Sequence, residues 1–245
     1  MVQKRDSNRL MENSIRNGDS MRKELKYMNI EYTDKDKLYI EELVDYIEKV
    51  SQEIVNFFGI EDFGNKVEVK LWEDLSKYRT SQFKIYLCGA EKIDELPKWC
   101  CGFAYSDNNI SYVETLCLEE YRKTLGHQNG TLDDLKHLIL HEFTHAVHLK
   151  INDKDYQWLS EGLATTISHQ YDNYELTFDA TLEQIQGEDY THYTNYHTMF
   201  YYVYETYGRE YILQLVNNYE LQKQETERLY NETVEYISNK TPKRK

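Results

Sequence analysis

Residues 131–164 read TLDDLKHLILHEFTHAVHLKINDKDYQWLSEGLA, and the rest of the chain is interpreted outward from them. Thr131 followed by Asp133 and Asp134 is typical of a helix N-terminus, where negative charge suits the helix dipole. Apolar residues then recur at helical spacing to about Lys150. This stretch predicts one helix ending there, followed by a polar loop and a second helix.

Two histidines in the segment His141-Glu142-Phe143-Thr144-His145 stand four positions apart. Both imidazoles therefore lie on one face of the helix, one turn apart, where neutral ring nitrogens bind a single cation. Glu142 lies beside this line, so its carboxylate is placed next to a cation and within reach of a water bound to it. The alternative is an amphipathic helix whose two histidines bind nothing.

Glu161 opens the EGLA segment, and fifteen residues separate it from His145. A loop and return of this length brings a second helix alongside the first, and the small residues Gly162 and Ala164 allow a close approach. The glutamate carboxylate then completes a site of two histidines and one glutamate, with a fourth position open for water. The sequence predicts one zinc ion per chain, held by His141, His145 and Glu161.

The segments HEFTH and WLSEGLA together resemble the gluzincin superfamily, the zinc peptidases related to thermolysin and aminopeptidase N, and in particular its compact bacterial peptidase MA-like domains. The resemblance covers roughly residues 65–220. It implies an α+β, thermolysin-like catalytic domain, with a small mixed sheet and an edge hairpin packed on the HExxH helix, followed by an all-helical C-terminal half. It also implies an endopeptidase acting on a peptide or protein substrate, with Glu142 as general base.

Two features depart from the large aminopeptidases. The spacing to the glutamate is shorter, and their substrate-clamping motif is not visible in this sequence. Aminopeptidase activity is therefore not implied by the resemblance.

The resemblance further suggests that a Tyr or His from the helix after EGLA stabilises the tetrahedral intermediate. Counting back from Tyr207-Gly208 makes Tyr193 the first choice and Tyr196 the second. A packing role is the alternative, because the chain contains 23 tyrosines and they are dense in this stretch. The remaining candidates are His192 and His197.

Other candidate ligands are weaker. His148 continues the face of His141, but about 10 Å of helix axis separates the two, too far for a shared ion. We expect His148 and His137 to pack rather than bind metal. The four cysteines, at 88, 100, 101 and 117, fit reduced thiols, with a redox sensor at Cys100 or Cys101 as the alternative.

Composition narrows the function classes. The 245-residue chain has a net charge of −14, which disfavours nucleic acid as a partner. It has no apolar run long enough for a signal peptide or a membrane span, so we expect a soluble, cytoplasmic protein without a membrane partner. The oligomeric state is left open.

Three regions are predicted: a polar, frayed or partly helical arm over 1–33, an α/β upper lobe over 34–150 carrying the HExxH helix, and a helical lower lobe over 151–240 carrying the third ligand. An edge strand of the hairpin, over 102–105 or 110–113, is a candidate to pair with an extended peptide. The predicted helices span 34–58, 74–88, 131–150, 158–170, 178–186, 192–207, 209–220 and 222–238, and the predicted strands span 66–72, 99–105 and 110–113.

Two further functions fit the same residues. One is a metal-stabilised binding or regulatory protein without catalysis, although a structural site usually has four protein ligands and needs no base such as Glu142. The other is a zinc hydrolase that acts on a non-peptide amide.

Overall fold

The computed structural model describes residues 20–86, 92–187 and 191–240. The chain divides into two compact units, Met1–Leu149 and Lys150–Lys245. The predicted boundary, between 150 and 151, lies one residue from this division. No helix in the described ranges combines the length and the apolar character that are needed to cross a bilayer.

A five-stranded mixed sheet forms the centre of the first unit, with the strand order β1-β2-β3-β5-β4. β3 pairs in parallel with both β2 and β5, whereas the outer pairs β1–β2 and β4–β5 are antiparallel. The central strand β3 buries alternate side chains, as the period of two predicts for KVEVKLW. The strands are β1 (Met21–Glu24), β2 (Met28–Tyr32), β3 (Val67–Trp72), β4 (Gly102–Asp107) and β5 (Ile110–Leu116).

Two of these strands correct the sequence prediction. The expected arm over 1–33 was wrong for Met21–Tyr32, which forms β1 and β2. Met28 and Ile30 are completely buried, so this short segment is part of the core although its neighbours are charged. The part of the predicted arm before residue 20 lies outside the described residues.

Four helices accompany the sheet in the first unit: α1 (Ile40–Phe58), α2 (Leu75–Tyr86), α3 (Leu118–Tyr121) and α4 (Leu132–His148). α1 ends at Phe58, as predicted, and the next residue, Gly59, has the left-handed φ of 68° that favours glycine at a helix end. Leu38 is 99% exposed and so does not belong to the apolar stripe of α1. The helix starts at Ile40, after a short 3₁₀ turn, rather than at Asp34.

α4 packs against α1 on one side and against β4 and β5 on the other. The predicted hairpin is therefore confirmed, and it supports the HExxH helix directly. Asn108 and Asn109 form its turn with positive φ, a conformation that asparagine tolerates well. The chain is thus α+β at the level of a mixed sheet with packed helices.

The described part of the second unit is helical: α5 (Gln157–Ile167), α6 (Leu182–Gln186), α7 (Tyr193–Asn217) and α8 (Tyr219–Lys240). α7 combines two helical segments that meet at Gly208, which has a φ of 77°. This agrees with the predicted break between 207 and 209. Trp158 is completely buried, and its indole N–H donates to Thr226 Oγ1 at 3.0 Å, which ties α5 to α8.

Gly162 allows a close helix approach within the second unit. A Cβ at this position would lie 2.5 Å from the carbonyl oxygen of Tyr196 and 2.6 Å from Phe200 Cβ. Its missing side chain therefore allows α7 to approach α5 closely. The predicted approach to the HExxH helix stays a prediction.

A buried carboxylate joins four elements around the hairpin. Glu114 of β5 accepts hydrogen bonds from Trp72 Nε1 at 2.9 Å, Ser81 Oγ at 2.6 Å and Tyr105 Oη at 3.1 Å. These donors come from β3, α2 and β4, so one side chain fixes the position of the outer strand. Burial raises the pKa of the Glu114 carboxyl above its usual range, although the three donors act in the opposite direction.

Replacing Glu114 tests this junction. Glu114→Ala removes the acceptor of three donors and leaves a cavity, so we expect the free energy of unfolding to fall by about 3 kcal/mol. Glu114→Gln keeps the shape and one acceptor oxygen, so its loss should be smaller. Both are measured by urea unfolding.

The pH dependence follows from the direction of the shift. Because the folded-state pKa is raised, the carboxyl favours folding below its unfolded pKa, and this contribution is lost as pH rises through the folded pKa. The stability advantage of wild type over Glu114→Gln should therefore shrink as pH rises above the usual glutamate pKa of about 4.3. An advantage that grows over this range would contradict the assignment.

Candidate metal centre

The HExxH helix begins where the sequence predicts. Thr131 Oγ1 accepts from the Asp134 amide at 3.2 Å, and the Asp134 carboxylate accepts from the Thr131 amide at 2.7 Å. This reciprocal capping box satisfies amides that a helix N-terminus otherwise leaves without partners. The register of α4, and with it the direction of each histidine, is therefore fixed at the first turn.

His141 and His145 converge as their spacing predicts. Their Nε2 atoms lie 3.1 Å apart, and the ring centroids are separated by 4.7 Å with planes at 78°. Both residues are buried, at 5% and 8% exposure. Two imidazole nitrogens that point to one place in a buried environment form half of a metal site.

Glu161 supplies the third donor. The ligand atoms of His141, His145 and Glu161 all lie within 4.8 Å of one another, and all three residues are buried. This group is able to hold a metal ion. Across residues 20–86, 92–187 and 191–240, it is the one cluster of three or more His, Cys, Asp or Glu side chains with such spacing.

The donor set itself fits a metal. Imidazole nitrogens bind divalent transition metals, and a carboxylate oxygen is a common further ligand of such ions. Burial of three polar side chains costs free energy unless they have partners, and a cation shared by all three donors provides one.

Glu161 is oriented by a residue that the sequence reasoning missed. Gln157 lies one turn earlier on α5, and its Nε2 donates to Glu161 Oε1 at 3.0 Å. This bond holds one carboxylate oxygen in place, and the position of the second oxygen is thereby defined as well. Side chains four residues apart on a helix are neighbours, so the spacing of Gln157 and Glu161 is a sequence signal for this contact.

Tyr171 is a second residue that was missed. It follows α5, and its ring stacks on Tyr174 at 4.2 Å and meets His197 edge-on at 5.4 Å. Burial raises the pKa of the Tyr171 hydroxyl, and the Tyr174 and Glu161 side chains raise it further. Tyr171 therefore stays protonated, as a hydroxyl near the Glu161 carboxylate.

Glu142 is buried on α4, at 7% exposure, and lies against the first residue of β4. A Cβ on Gly102 would be 3.0 Å from both Glu142 Cγ and Glu142 Oε1. The carboxylate thus lies close to the start of the outer strand, in the first unit. Its role as general base stays a prediction.

The candidates for the intermediate-stabilising group differ in their surroundings. Tyr193 is half-buried at the first residue of α7, whereas Tyr196 is completely buried and its backbone packs against Gly162. His197 shares a 2.9 Å hydrogen bond with Thr166 Oγ1, and burial lowers its pKa to about 4, so it is neutral at pH 7. His192 has its ring 6.3 Å from that of Tyr196. The catalytic roles proposed for Tyr193 and Tyr196 stay predictions.

The other histidines of α4 make packing contacts. The His148 ring lies 5.9 Å from that of Phe58, and the His137 ring meets Tyr46 edge-on at 5.5 Å. These positions agree with the expectation that neither shares the ion of His141 and His145.

The cysteines within the described residues are free thiols: Cys100, Cys101 and Cys117. Burial raises the pKa of Cys100 to about 12, with a further contribution from Glu142, and burial raises the pKa of Cys117 to about 11. Protonated thiols react slowly with oxidants, which favours the reduced-thiol interpretation over the redox sensor. Cys88 lies outside the described residues.

Similarity to known proteins adds no support to this site. Comparison of the chain with protein families, curated proteins and solved structures finds no match in any of the three. The candidate function therefore depends on the chemistry and geometry of the residues themselves.

Proposed function

We propose that the protein is a zinc-dependent peptidase of the gluzincin type that cleaves peptide bonds within a peptide or protein substrate. The observation that carries this proposal is the convergence of His141, His145 and Glu161 in one buried group, with Glu142 adjacent to His141 on the same helix. Each of the four residues has the chemistry that its proposed role needs.

Zinc is the metal that this donor set favours. Two imidazoles and one carboxylate leave one position of a tetrahedral ion for water or substrate, as in catalytic zinc sites, whereas structural sites usually have four protein ligands. Oxygen-only sites suit calcium and magnesium, and sulfur-rich sites suit zinc in structural roles. One zinc ion per chain is expected from the one such cluster within the described residues.

The chemistry divides between the metal and the protein. Zinc, when bound, polarises the scissile carbonyl and lowers the pKa of a coordinated water towards about 7. Glu142 accepts the proton of the attacking water and passes it to the leaving amine nitrogen. Tyr193, or else Tyr196, donates a hydrogen bond to the developing oxyanion.

The sheet offers a place for an extended substrate. β4 pairs only with β5 among the described strands, so its outer edge keeps backbone groups that a peptide can use. β5 lies between β3 and β4, which excludes 110–113 from this role and leaves 102–105. An α4 helix packed on an antiparallel outer strand is also the arrangement expected of a thermolysin-like catalytic domain.

Replacing the general base separates metal binding from catalysis. Glu142→Gln should keep about one zinc per chain but lower the rate of fluorescein-casein hydrolysis by a factor of at least ~100, because the proton acceptor is lost. Glu175→Gln, at an exposed position, is the matched control and should behave as wild type. Zinc content is measured by atomic absorption.

Equal activity in Glu142→Gln and wild type would refute the role of Glu142. A zinc-binding wild type without activity on any peptide or amide substrate would instead support the non-catalytic binding protein. Hydrolysis of small amides without hydrolysis of peptides would support the third function.

Gln157 provides a test of the third ligand that leaves all donors in place. Gln157→Met removes the N–H that orients Glu161 while keeping a similar side-chain volume, and zinc affinity should fall about tenfold. Competition with a chelating dye measures the affinity. Gln214→Met, at an exposed position of α7, should leave the affinity unchanged. Unchanged affinity in Gln157→Met would show that Glu161 does not depend on this bond.

A further inference from the structure

Gly102 stands where β4 passes the side chain of Glu142. A Cβ at this position would lie 3.0 Å from Glu142 Cγ, Glu142 Oε1 and Leu138 Cδ1. Carbon atoms in favourable contact are about 3.5–4.0 Å apart, so even an alanine would force one of these groups to move. The carboxylate occupies its observed place because residue 102 has no side chain.

The backbone of Gly102 is held from the side of α2. Cys100 donates its S–H to the Gly102 carbonyl at 3.3 Å, and Gln82 Nε2 donates to Cys100 Sγ at 2.9 Å. Arg79 in turn donates to Gln82 Oε1 at 2.9 Å. We call this chain of three side chains the Arg79–Gln82–Cys100 bracket. Gln82 is only 1% exposed, so the middle member of the bracket is buried, whereas Arg79 and Cys100 are partly exposed.

The same segment is held at two further points. Arg79 also donates to the carbonyl oxygens of Pro97 at 2.7 Å and Lys98 at 2.8 Å, which fixes the approach to β4. On the side of β5, Thr115 Oγ1 donates to the Cys101 carbonyl at 2.9 Å, and Thr115 is the strand partner of Gly102. The backbone at 102 therefore cannot move away from Glu142 without breaking several hydrogen bonds.

The charges around Glu142 agree with this arrangement. Burial and the Glu142 carboxylate together raise the pKa of the Cys100 thiol to about 12. The thiol stays neutral and keeps its proton for the Gly102 carbonyl. The bracket thus adds no second negative charge beside the carboxylate.

We propose that Gly102 and the Arg79–Gln82–Cys100 bracket are positioning residues for Glu142. The bracket holds the backbone of Gly102 close to the Glu142 carboxylate, and this contact confines Glu142 to one orientation. The catalytic consequence rests on the proposed function, whereas the steric coupling of positions 102 and 142 does not.

The coupling is tested in metal-free protein by urea unfolding of Gly102→Ala, Glu142→Ala and the double variant. Gly102→Ala should lower the unfolding midpoint in wild type, and by less than half as much when Glu142→Ala has removed Cγ and the carboxylate. Gly187→Ala, whose Cβ would lie 3.2 Å from the Glu183 carbonyl, is the control and should shift the midpoint equally in both backgrounds. Equal shifts for Gly102→Ala in the two backgrounds would overturn the proposal.

The catalytic consequence is tested at Cys100. Cys100→Ala removes the donor to Gly102, so kcat for fluorescein-casein should fall about tenfold while KM stays within twofold of wild type. Cys100→Ser restores a donor and should recover most of the lost kcat. The absorption spectrum of the Co²⁺-substituted protein should be the same in all three, which shows that the metal site is unchanged.

A Cys100→Ala variant with wild-type kcat, or with only a raised KM, would overturn the role of the bracket. A wild type that hydrolyses no peptide would overturn the proposed function instead. The unfolding cycle then still decides whether Gly102 positions Glu142.

Discussion

Two imidazole nitrogens held 3.1 Å apart in a buried place are the constraint on which the rest of the account depends. Moving polar groups out of water costs free energy unless other partners replace the hydrogen bonds that water made. The Glu161 carboxylate lies within 4.8 Å of these donors, and a divalent cation satisfies all three at once. The cluster is therefore able to hold a metal ion.

Much of the first unit serves to hold α4 in position. The capping box of Thr131 and Asp134 sets where the helix starts, and α1, β4 and β5 enclose its sides. Glu114 fixes β4 from within the sheet, and the bracket fixes the segment that leads into it. The proposed general base, Glu142, lies between this helix and β4, and holding a base in place reduces the reorganisation that a proton transfer requires.

The sequence predicted the features that depend on local spacing. The spacing of four residues placed His141 and His145 on one helix face, and the hairpin strands were predicted over 99–105 and 110–113. The predicted helix bounds at 58 and 207 match the end of α1 and the break at Gly208. These signals are visible because helices, turns and caps follow from near neighbours in the chain. The thermolysin-like character of the fold stays a proposal.

Features that depend on distant neighbours were not predictable. β1, with the sequence MRKE, has no apolar alternation and depends on its pairing with β2. β2, with the sequence MNIEY, does alternate apolar and polar residues, a short signal for a strand that the predicted arm did not take into account. Gly102 carries no sequence signal for its contact with Glu142, since that contact exists only after β4 packs on α4. Because tyrosines are dense in this stretch, the sequence likewise gives no signal that separates the proposed roles of Tyr193 and Tyr196.

X-ray absorption at the zinc edge of the purified, zinc-loaded protein tests the central claim most directly. The account predicts a first coordination shell of nitrogen and oxygen at about 2.0–2.1 Å, with two imidazole scattering patterns and no sulfur. A zinc–sulfur distance near 2.3 Å, or a protein that retains no zinc after dialysis, would contradict it.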